Sequence, residues 1–188
     1  MTIFDILKAD HKKVDVILKQ MARTSGAQAV KRKTLFAKLQ ENFTLHAKSE
    51  EKAVYAPLNL KSKTHGEVME AYEEHGLVEH LFYQLAELSV EDDAWTAKMA
   101  VLTELVRAHV KDEEAKLFKK MKAVCSGAEL AQMARNFRGV QREKANYSLN
   151  KKTKANQATD PDVSQRMPAA IIEKSQKNGR ESIRTKNI

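Results

Sequence analysis

Two short stretches with the same pattern constrain what this chain can fold into. In residues 46–51, and again in residues 109–114, a histidine is followed four positions later by a glutamate and then directly by a second glutamate. Side chains four positions apart lie on the same face of an α-helix, so each stretch directs an imidazole and a carboxylate towards one point. Neither stretch contains Pro or Gly. We therefore predict two helices that each present a pair of metal-ligating groups.

Composition favours a soluble helical protein. The chain has 188 residues, with only six Gly and three Pro, which argues against a loop-rich or all-β fold. No apolar run approaches the ~20 residues that a membrane-spanning helix needs. The first residues also lack the basic and apolar regions of a signal peptide. Because Cys125 is the single cysteine, no internal disulfide can form, and we expect a cytoplasmic protein.

Apolar residues at alternating three- and four-residue steps predict four amphipathic helices. The helices are expected at about residues 2–23, 27–60, 67–89 and 94–125. Connected in this way, they indicate an all-α, up-down four-helix bundle. A weaker amphipathic pattern predicts a short fifth helix at residues 128–143, packed across the bundle. We accordingly expect a metal-binding bundle at residues 1–143 and a basic, flexible tail at residues 144–188.

The tail carries most of the charge. From residue 139 onward eleven basic residues stand against five acidic ones, in a chain of net charge +8. A basic segment with few aromatic residues is usually solvated. The alternative is that it binds a nucleic acid, an anionic lipid surface or a protein. A short apolar patch at residues 167–172 is a candidate docking element.

Histidines on the predicted inward faces distinguish this bundle from an ordinary one. A single histidine on an apolar face is more often a hydrogen-bonded core residue, and one His–Glu pair is often a surface pair. Here each of the four helices contributes a histidine, and two contribute a glutamate as well. Burying six such groups together would cost several kcal/mol each unless a cation compensates. The predicted metal ligands are His11, His46, Glu50, His75, His109 and Glu113.

On the third helix the choice falls between two histidines. His75 and His80 are five positions apart and cannot share a helix face. His75 belongs to the apolar series and matches the height of the other ligands, whereas His80 lies among polar residues. We expect the acidic and aromatic neighbours of the ligands to contribute little to metal binding. Adjacent helix positions point about 100° apart, so the acidic neighbours are predicted to be solvated and the tyrosines to pack in the core. These residues are Asp10, Glu51, Tyr55, Tyr72, Glu74 and Glu114.

The ligand chemistry favours iron. Imidazole and carboxylate groups without thiolates suit iron or manganese, with zinc as a competitor. Six protein ligands exceed the four of a structural zinc site, and they suit two ions. In that arrangement Glu50 and Glu113 would bridge the ions and the four histidines would cap them.

The pattern resembles the haemerythrin-like, or HHE cation-binding, domain over about residues 1–143. The matching features are His11, the stretch 46–57, the pair Glu74-His75 and the stretch 109–118. The resemblance implies a four-helix bundle with two non-haem iron ions, joined by carboxylate and oxo or hydroxo bridges. It also implies binding of dioxygen, nitric oxide or peroxide, for storage, sensing or detoxification.

Two departures from the invertebrate oxygen carriers of that family favour other chemistry. Those carriers have His-x-x-x-His on the third helix, where this chain has Glu79 four positions after His75. In the last motif those carriers have Asp five positions after the histidine, whereas this chain has Glu113 four positions after His109. Both departures favour reactivity with peroxide or nitric oxide over simple oxygen carriage. A di-iron peroxidase, a catalase-like or nitric-oxide-reducing enzyme, and an iron- or oxygen-sensing module all remain open, as does a contribution from Glu79 or His80.

Overall fold

The computed structural model describes residues 1–158, which form five long helices and no strand. We number them in chain order: α1 Ile3–Met21, α2 Ala29–Glu50, α3 His65–Ala86, α4 Asp93–Asp112 and α5 Gly127–Ala158. Two of them, α2 and α4, continue through a π-helical turn into a short α-helical end. These continuations are Glu51–Tyr55 and Ala56–Asn59 after α2, and Glu113–Leu117 and Phe118–Val124 after α4. Every helix in this part of the chain is too short or too polar to cross a bilayer.

Local side-chain caps fix where two of the helices begin. The Thr2 hydroxyl accepts a hydrogen bond from the Asp5 N–H at 3.2 Å, and the Thr2 N–H donates to the Asp5 carboxylate at 2.7 Å. Ser126 and Glu129 make the same reciprocal pair before α5. Such capping boxes satisfy N–H groups that have no partner within the helix.

The predicted up-down bundle is confirmed, and its core is divided into two apolar clusters. The lower cluster contains Leu7, Leu58, Val68 and Leu117, and the upper cluster contains Leu18, Leu39, Leu85 and Leu102. Helices α1 and α3 contribute to both clusters, and so do α2 and α4 when each is taken together with its continuation. Along α1 and α3 the lower residue comes first, whereas along α2 and α4 the upper residue comes first. Successive helices are therefore antiparallel, and the helix segments between the two clusters lie at one level.

The π-helical turns are absent from the sequence prediction, which expected uninterrupted α-helices. One turn begins directly after Glu50 and the other begins at Glu113. A π turn contains an extra residue, so it shifts the buried face of the helix beyond it. Three consecutive residues in this turn, Ala53, Val54 and Tyr55, are all buried, so the buried face is wider here than the predicted stripe.

The fifth helix is longer than predicted. It continues beyond residue 143 to Ala158, because residues 144–158 contain neither Gly nor Pro and their polar composition does not itself end a helix. The residues Met1–Lys144 form one compact unit, and the functional division into bundle and tail stays a prediction. The rest of the predicted tail, including the apolar patch at 167–172, lies outside the described residues.

A buried arginine connects the helix ends beyond the upper cluster. Arg32 in α2 is 5% exposed. Its guanidinium donates to the Val90 carbonyl at 2.6 Å and to the Thr24 carbonyl at 3.2 Å. It also lies 5.0 Å from the centre of the Trp95 ring. Arg32 therefore satisfies loop carbonyls on both sides of α2.

We expect Arg32→Met to lower the free energy of unfolding by about 2–4 kcal/mol, because it leaves buried carbonyls without donors. Urea denaturation measures the change. The neighbouring exposed residue supplies the matched control, Lys33→Met, which should change stability by less than about 0.5 kcal/mol. Metal content should be the same in both variants, since Arg32 lies far from the predicted ligands. A neutral Arg32→Met would contradict the anchoring role.

Candidate metal centre

The six predicted ligands lie together in a polar layer between the two apolar clusters. Each of them is at most 5% exposed. Helices α1 and α3 supply one ligand candidate each. Helix α2 supplies two, and α4 with its continuation supplies two. The structure therefore brings to one place all the residues that the sequence pattern selected.

The ligand atoms divide into two groups of three, each with two imidazoles and one carboxylate. Within a group the atoms lie within 4.8 Å of one another. The first group is His11, His46 and Glu113, and the second group is Glu50, His75 and His109. Each His-x-x-x-Glu motif thus contributes its histidine to one group and its glutamate to the other. Two carboxylates that reach between two groups are suited to bridging two ions.

Distances within the layer are short. Glu50 Oε2 lies 3.3 Å from His46 Nε2 and 3.7 Å from His75 Nε2, so it contacts histidines of both groups. Glu113 Oε2 lies 3.0 Å from His11 Nε2. In the second group the Nε2 atoms of His75 and His109 lie 3.2 Å apart. Two imidazole nitrogens that converge on one point suit a shared cation.

Several of these buried polar atoms make no hydrogen bond. They are His11 Nε2, both ring nitrogens of His46, Glu50 Oε1 and both carboxylate oxygens of Glu113. Unpartnered buried polar atoms are rare in proteins because each costs desolvation energy. Cations in the layer would partner these atoms except His46 Nδ1, which faces Asp10 at 4.0 Å. The imidazole and carboxylate donors fit iron, manganese or zinc.

The pKa shifts reflect how closely the charges are placed. Burial, together with the charge of Glu50, raises the pKa of Glu113 well above its usual value. Burial alone would raise the pKa of Glu50, but attraction to His46 brings it well below the usual range. Burial and the neighbouring His46 lower the pKa of His11 to about 4, and burial lowers the pKa of His75. These shifts favour the neutral imidazole in His11 and His75, which is the form that binds metal.

The acidic neighbours of the ligands are not solvated as predicted. Three of them accept a hydrogen bond from the Nδ1 atom of a histidine on another helix. The pairs are Glu114–His11 at 2.9 Å, Glu51–His75 at 3.2 Å and Glu74–His109 at 2.7 Å. The 100° turn between adjacent positions directs these carboxylates away from their own helix's ligand and towards the next helix. They orient the imidazoles and increase their basicity, as such carboxylates do in metal sites.

His46 is supported differently, through α5. Asp10 Oδ2 lies 4.0 Å from the Nδ1 atom of His46. Asp10 is 7% exposed and is held by Lys13 and by Gln141 of α5, each at 2.6 Å. Phe137, also in α5, meets the His46 ring with 6.1 Å between ring centres. Nothing in the helical spacing of the sequence connects α5 to the ligands, so this contact was missed.

Tyr55 does more than fill the core. Its hydroxyl donates a hydrogen bond to Glu50 Oε2 at 3.0 Å, and its ring stacks on His75 with 5.4 Å between centres. Tyr72 donates to the Glu51 carbonyl at 3.3 Å. The π-helical turn after Glu50 directs Tyr55 back towards the ligand layer, which a regular helix pattern did not predict.

Glu79 and His80 lie outside the layer. The Glu79 side chain is 43% exposed, with its carboxylate 3.9 Å from Lys48 Nζ. His80 is exposed and pairs with Gln84. His65, which lies between the second and third predicted helices, is the exposed first residue of α3. The second group is therefore limited to the two histidines and one glutamate already named.

The fold and the layer define a helical bundle with His/Glu groups that can hold metal at its centre. The family model of the hemerythrin HHE cation binding domain matches residues 2–121, and the chain belongs to this family. Those residues include all six ligand candidates and end within the last helical segment of the bundle.

Two further comparisons found similar proteins. A crystal structure of a hemerythrin HHE cation-binding domain-containing protein from Mycobacterium kansasii superposes with a TM-score of 0.65, at 19% identity, over 80% of this chain and 93% of that one. At this identity the likeness shows the fold alone. A protein from a Nostoc species named DNA nickase is 25% identical over 140 residues, or 74% of this chain. The chain spans only 39% of that relative's length.

We expect Glu74→Ala to weaken metal binding by about 10- to 100-fold, because His109 loses the carboxylate that orients it. A competition titration with a chelating indicator measures the affinity. The adjacent exposed residue provides the control Glu73→Ala, which should bind metal like the unaltered protein. Equal affinities for the two variants would show that Glu74 does not support the site.

Proposed function

We propose that this chain is a non-haem di-iron protein that binds dioxygen, nitric oxide or peroxide for storage, sensing or detoxification. The observation that carries the proposal is the division of each His-x-x-x-Glu motif between the two ligand groups. One iron in each group would place Glu50 and Glu113 as bridges, with an oxo or hydroxo bridge completing the pair. Two irons held in this way supply redox chemistry and a place for a small ligand to bind.

The protein residues around the site would control that chemistry. With both glutamates as bridges, each iron would have two histidines and two carboxylates. This is fewer ligands than iron commonly accepts, so positions remain for a small molecule. The apolar clusters above and below the layer exclude bulk water. The Tyr55 hydroxyl, bound to Glu50, is a proton donor next to the ligand layer. It would hold the orientation of this carboxylate.

Two alternative functions differ in their support. Because Glu79 lies at the surface, His75 is the single ligand candidate that α3 gives to the second group. An open position in that group favours turnover by a peroxidase, a catalase-like enzyme or a nitric-oxide reductase. A regulatory module, in which a basic tail engages a nucleic acid or a protein, rests on residues that are mostly outside the described range. The name of the Nostoc relative makes nucleic acid the first partner to test for that tail. We propose a cytoplasmic location from the sequence.

The first experiment compares iron content and the visible spectrum in three proteins: unaltered, His75→Ala and His80→Ala. Two irons per chain with oxo-bridge charge-transfer bands are expected for the unaltered protein and for His80→Ala, and not for His75→Ala. Adding peroxide or nitric oxide then separates the functions. A long-lived coloured adduct supports binding, whereas sustained consumption supports an enzyme. Absence of iron from all three proteins would contradict the proposal.

A further inference from the structure

A narrow cleft between α3 and α4 leads from the surface to the ligand layer. Its lining comes from residues 67–74 of α3 and from residues 109–117 of α4 and its π-helical continuation. His109 and Glu113 form its inner end. The cavity volume is about 20 Å³, which is close to the space that one water molecule needs. A fully hydrated divalent ion is larger than this, so a cation using the cleft must exchange water for protein oxygens.

The lining supplies such oxygens. Five of the lining residues are acidic, against one lysine: Glu67, Glu70, Glu74, Asp112 and Glu113 against Lys116. The lysine is already paired with Asp112 at 2.9 Å, and Glu67 is paired with Lys120. Glu70 is exposed and forms no ion pair with the described side chains of residues 1–144. The carboxylates thus extend in steps from the surface to the buried site.

The inner end provides an independent indication of a cation. The Glu113 side chain is 2% exposed, it lines the cleft, and both of its oxygens lack a hydrogen-bond partner. An acidic surface by itself is common, but an acidic cleft that ends on an unpartnered buried carboxylate draws a cation inward.

Other openings to the layer differ in charge. A cleft between α1 and α4 reaches His11, but its charged lining is balanced, with Asp15 and Glu114 against Arg107 and Lys111. Val14, Leu18, Val106 and Val110 make the remaining walls of that cleft apolar. A smaller opening between α2 and α3 reaches His75, with Glu51 and Glu79 against Lys48 and a volume of about 10 Å³. The α3–α4 cleft has the largest acidic excess of these three openings.

We infer that the acidic cleft between α3 and α4 is the route by which divalent metal ions reach the buried site, with Glu70 as the outer capture group. This inference rests on the proposed metal centre and adds a site of transient cation binding to it. Glu70 attracts the hydrated ion, Asp112 and Glu74 replace some of its waters, and Glu113 receives it. The cleft determines how fast the metal loads, whereas the six ligands determine how tightly it is held.

The test measures the rate at which Co²⁺, a probe that does not oxidise under these conditions, enters the full chain after chelation. Cobalt absorbance in a stopped-flow instrument gives both the rate and the final stoichiometry. We expect Glu70→Lys to load about three- to tenfold more slowly at low salt. The milder variant Glu70→Gln should show a smaller decrease. High salt should reduce both differences, since it screens exposed charges.

The control is Glu87→Lys, which makes the same charge change at an exposed position near the other end of α3 and should load at the unaltered rate. Equal loading rates for Glu70→Lys and Glu87→Lys, with full final cobalt content, would overturn the loading route and leave the metal centre intact. If the unaltered chain takes up no cobalt, the metal centre itself fails, and the route fails with it.

Discussion

Glu113→Gln should stabilise the metal-free protein and destabilise the metal-loaded protein. After chelation the variant should be more stable than the unaltered protein, because a neutral amide costs less to bury than a carboxylate with no hydrogen-bond partner. In excess metal it should be the less stable of the two, since it has lost a ligand of the first group and its proposed bridge to the second. Thermal unfolding with and without metal measures both effects.

The ligand change should also reduce metal binding directly. We expect Glu113→Gln to hold at most one ion per chain, with affinity lowered by more than about 100-fold, beyond the range for residues that only orient a ligand. The matched control is Glu114→Gln, next in sequence, which alters only the support of His11 and should keep both ions with weaker binding. Lower stability of Glu113→Gln in both conditions would indicate an ordinary structural role and contradict the metal centre.

Removing the metal is expected to lower the melting temperature of the unaltered protein by about 10–15 °C. A ligand present at 1,000 times its dissociation constant stabilises a fold by about 4 kcal/mol. For a unit of this size each kcal/mol corresponds to roughly 3–4 °C. The physical reason is that the layer between the apolar clusters contains unpartnered imidazoles and carboxylates, whose desolvation the cation offsets. Calorimetry before and after chelation, followed by reloading, measures the change.

A double variant tests whether this stabilisation acts through the layer. In His46→Ala/Glu113→Ala the first group keeps only His11, so adding metal should raise the melting temperature by at most a few degrees. The exposed pair His80→Ala/Glu87→Ala should respond to metal like the unaltered chain. A full response in the first double variant would place the stabilising metal somewhere other than the layer.

The sequence was sufficient to predict the bundle and the candidate ligands. Helical periodicity placed each of His11, His46, His75 and His109 on an inward face. When α2 and α4 are taken with their continuations, the four helices lie within a few residues of the predicted bounds. The choice of His75 over His80 followed from the same reasoning and agrees with their burial. These features are local to one helix, which is why a single sequence contains them.

The supporting contacts could not be predicted in the same way, because they join different helices. Whether Glu74 meets solvent or His109 depends on how α3 and α4 are rotated about their axes, and one-helix periodicity does not determine this. The contact between Gln141 and Asp10 depends on how α5 packs across the bundle. The π-helical turn that ends at Tyr55 contains no residue type that marks such a turn in the way that Gly or Pro marks a helix end.

Iron absorption spectroscopy of the anaerobically loaded protein tests the central claim most directly. The account predicts two irons per chain, imidazole and carboxylate ligation, and an iron–iron separation of about 3.5–4 Å, as in other two-metal sites. The same measurement on Glu113→Gln should show no iron–iron pair. A single iron per chain, or two irons without a short separation, would contradict a centre bridged by Glu50 and Glu113.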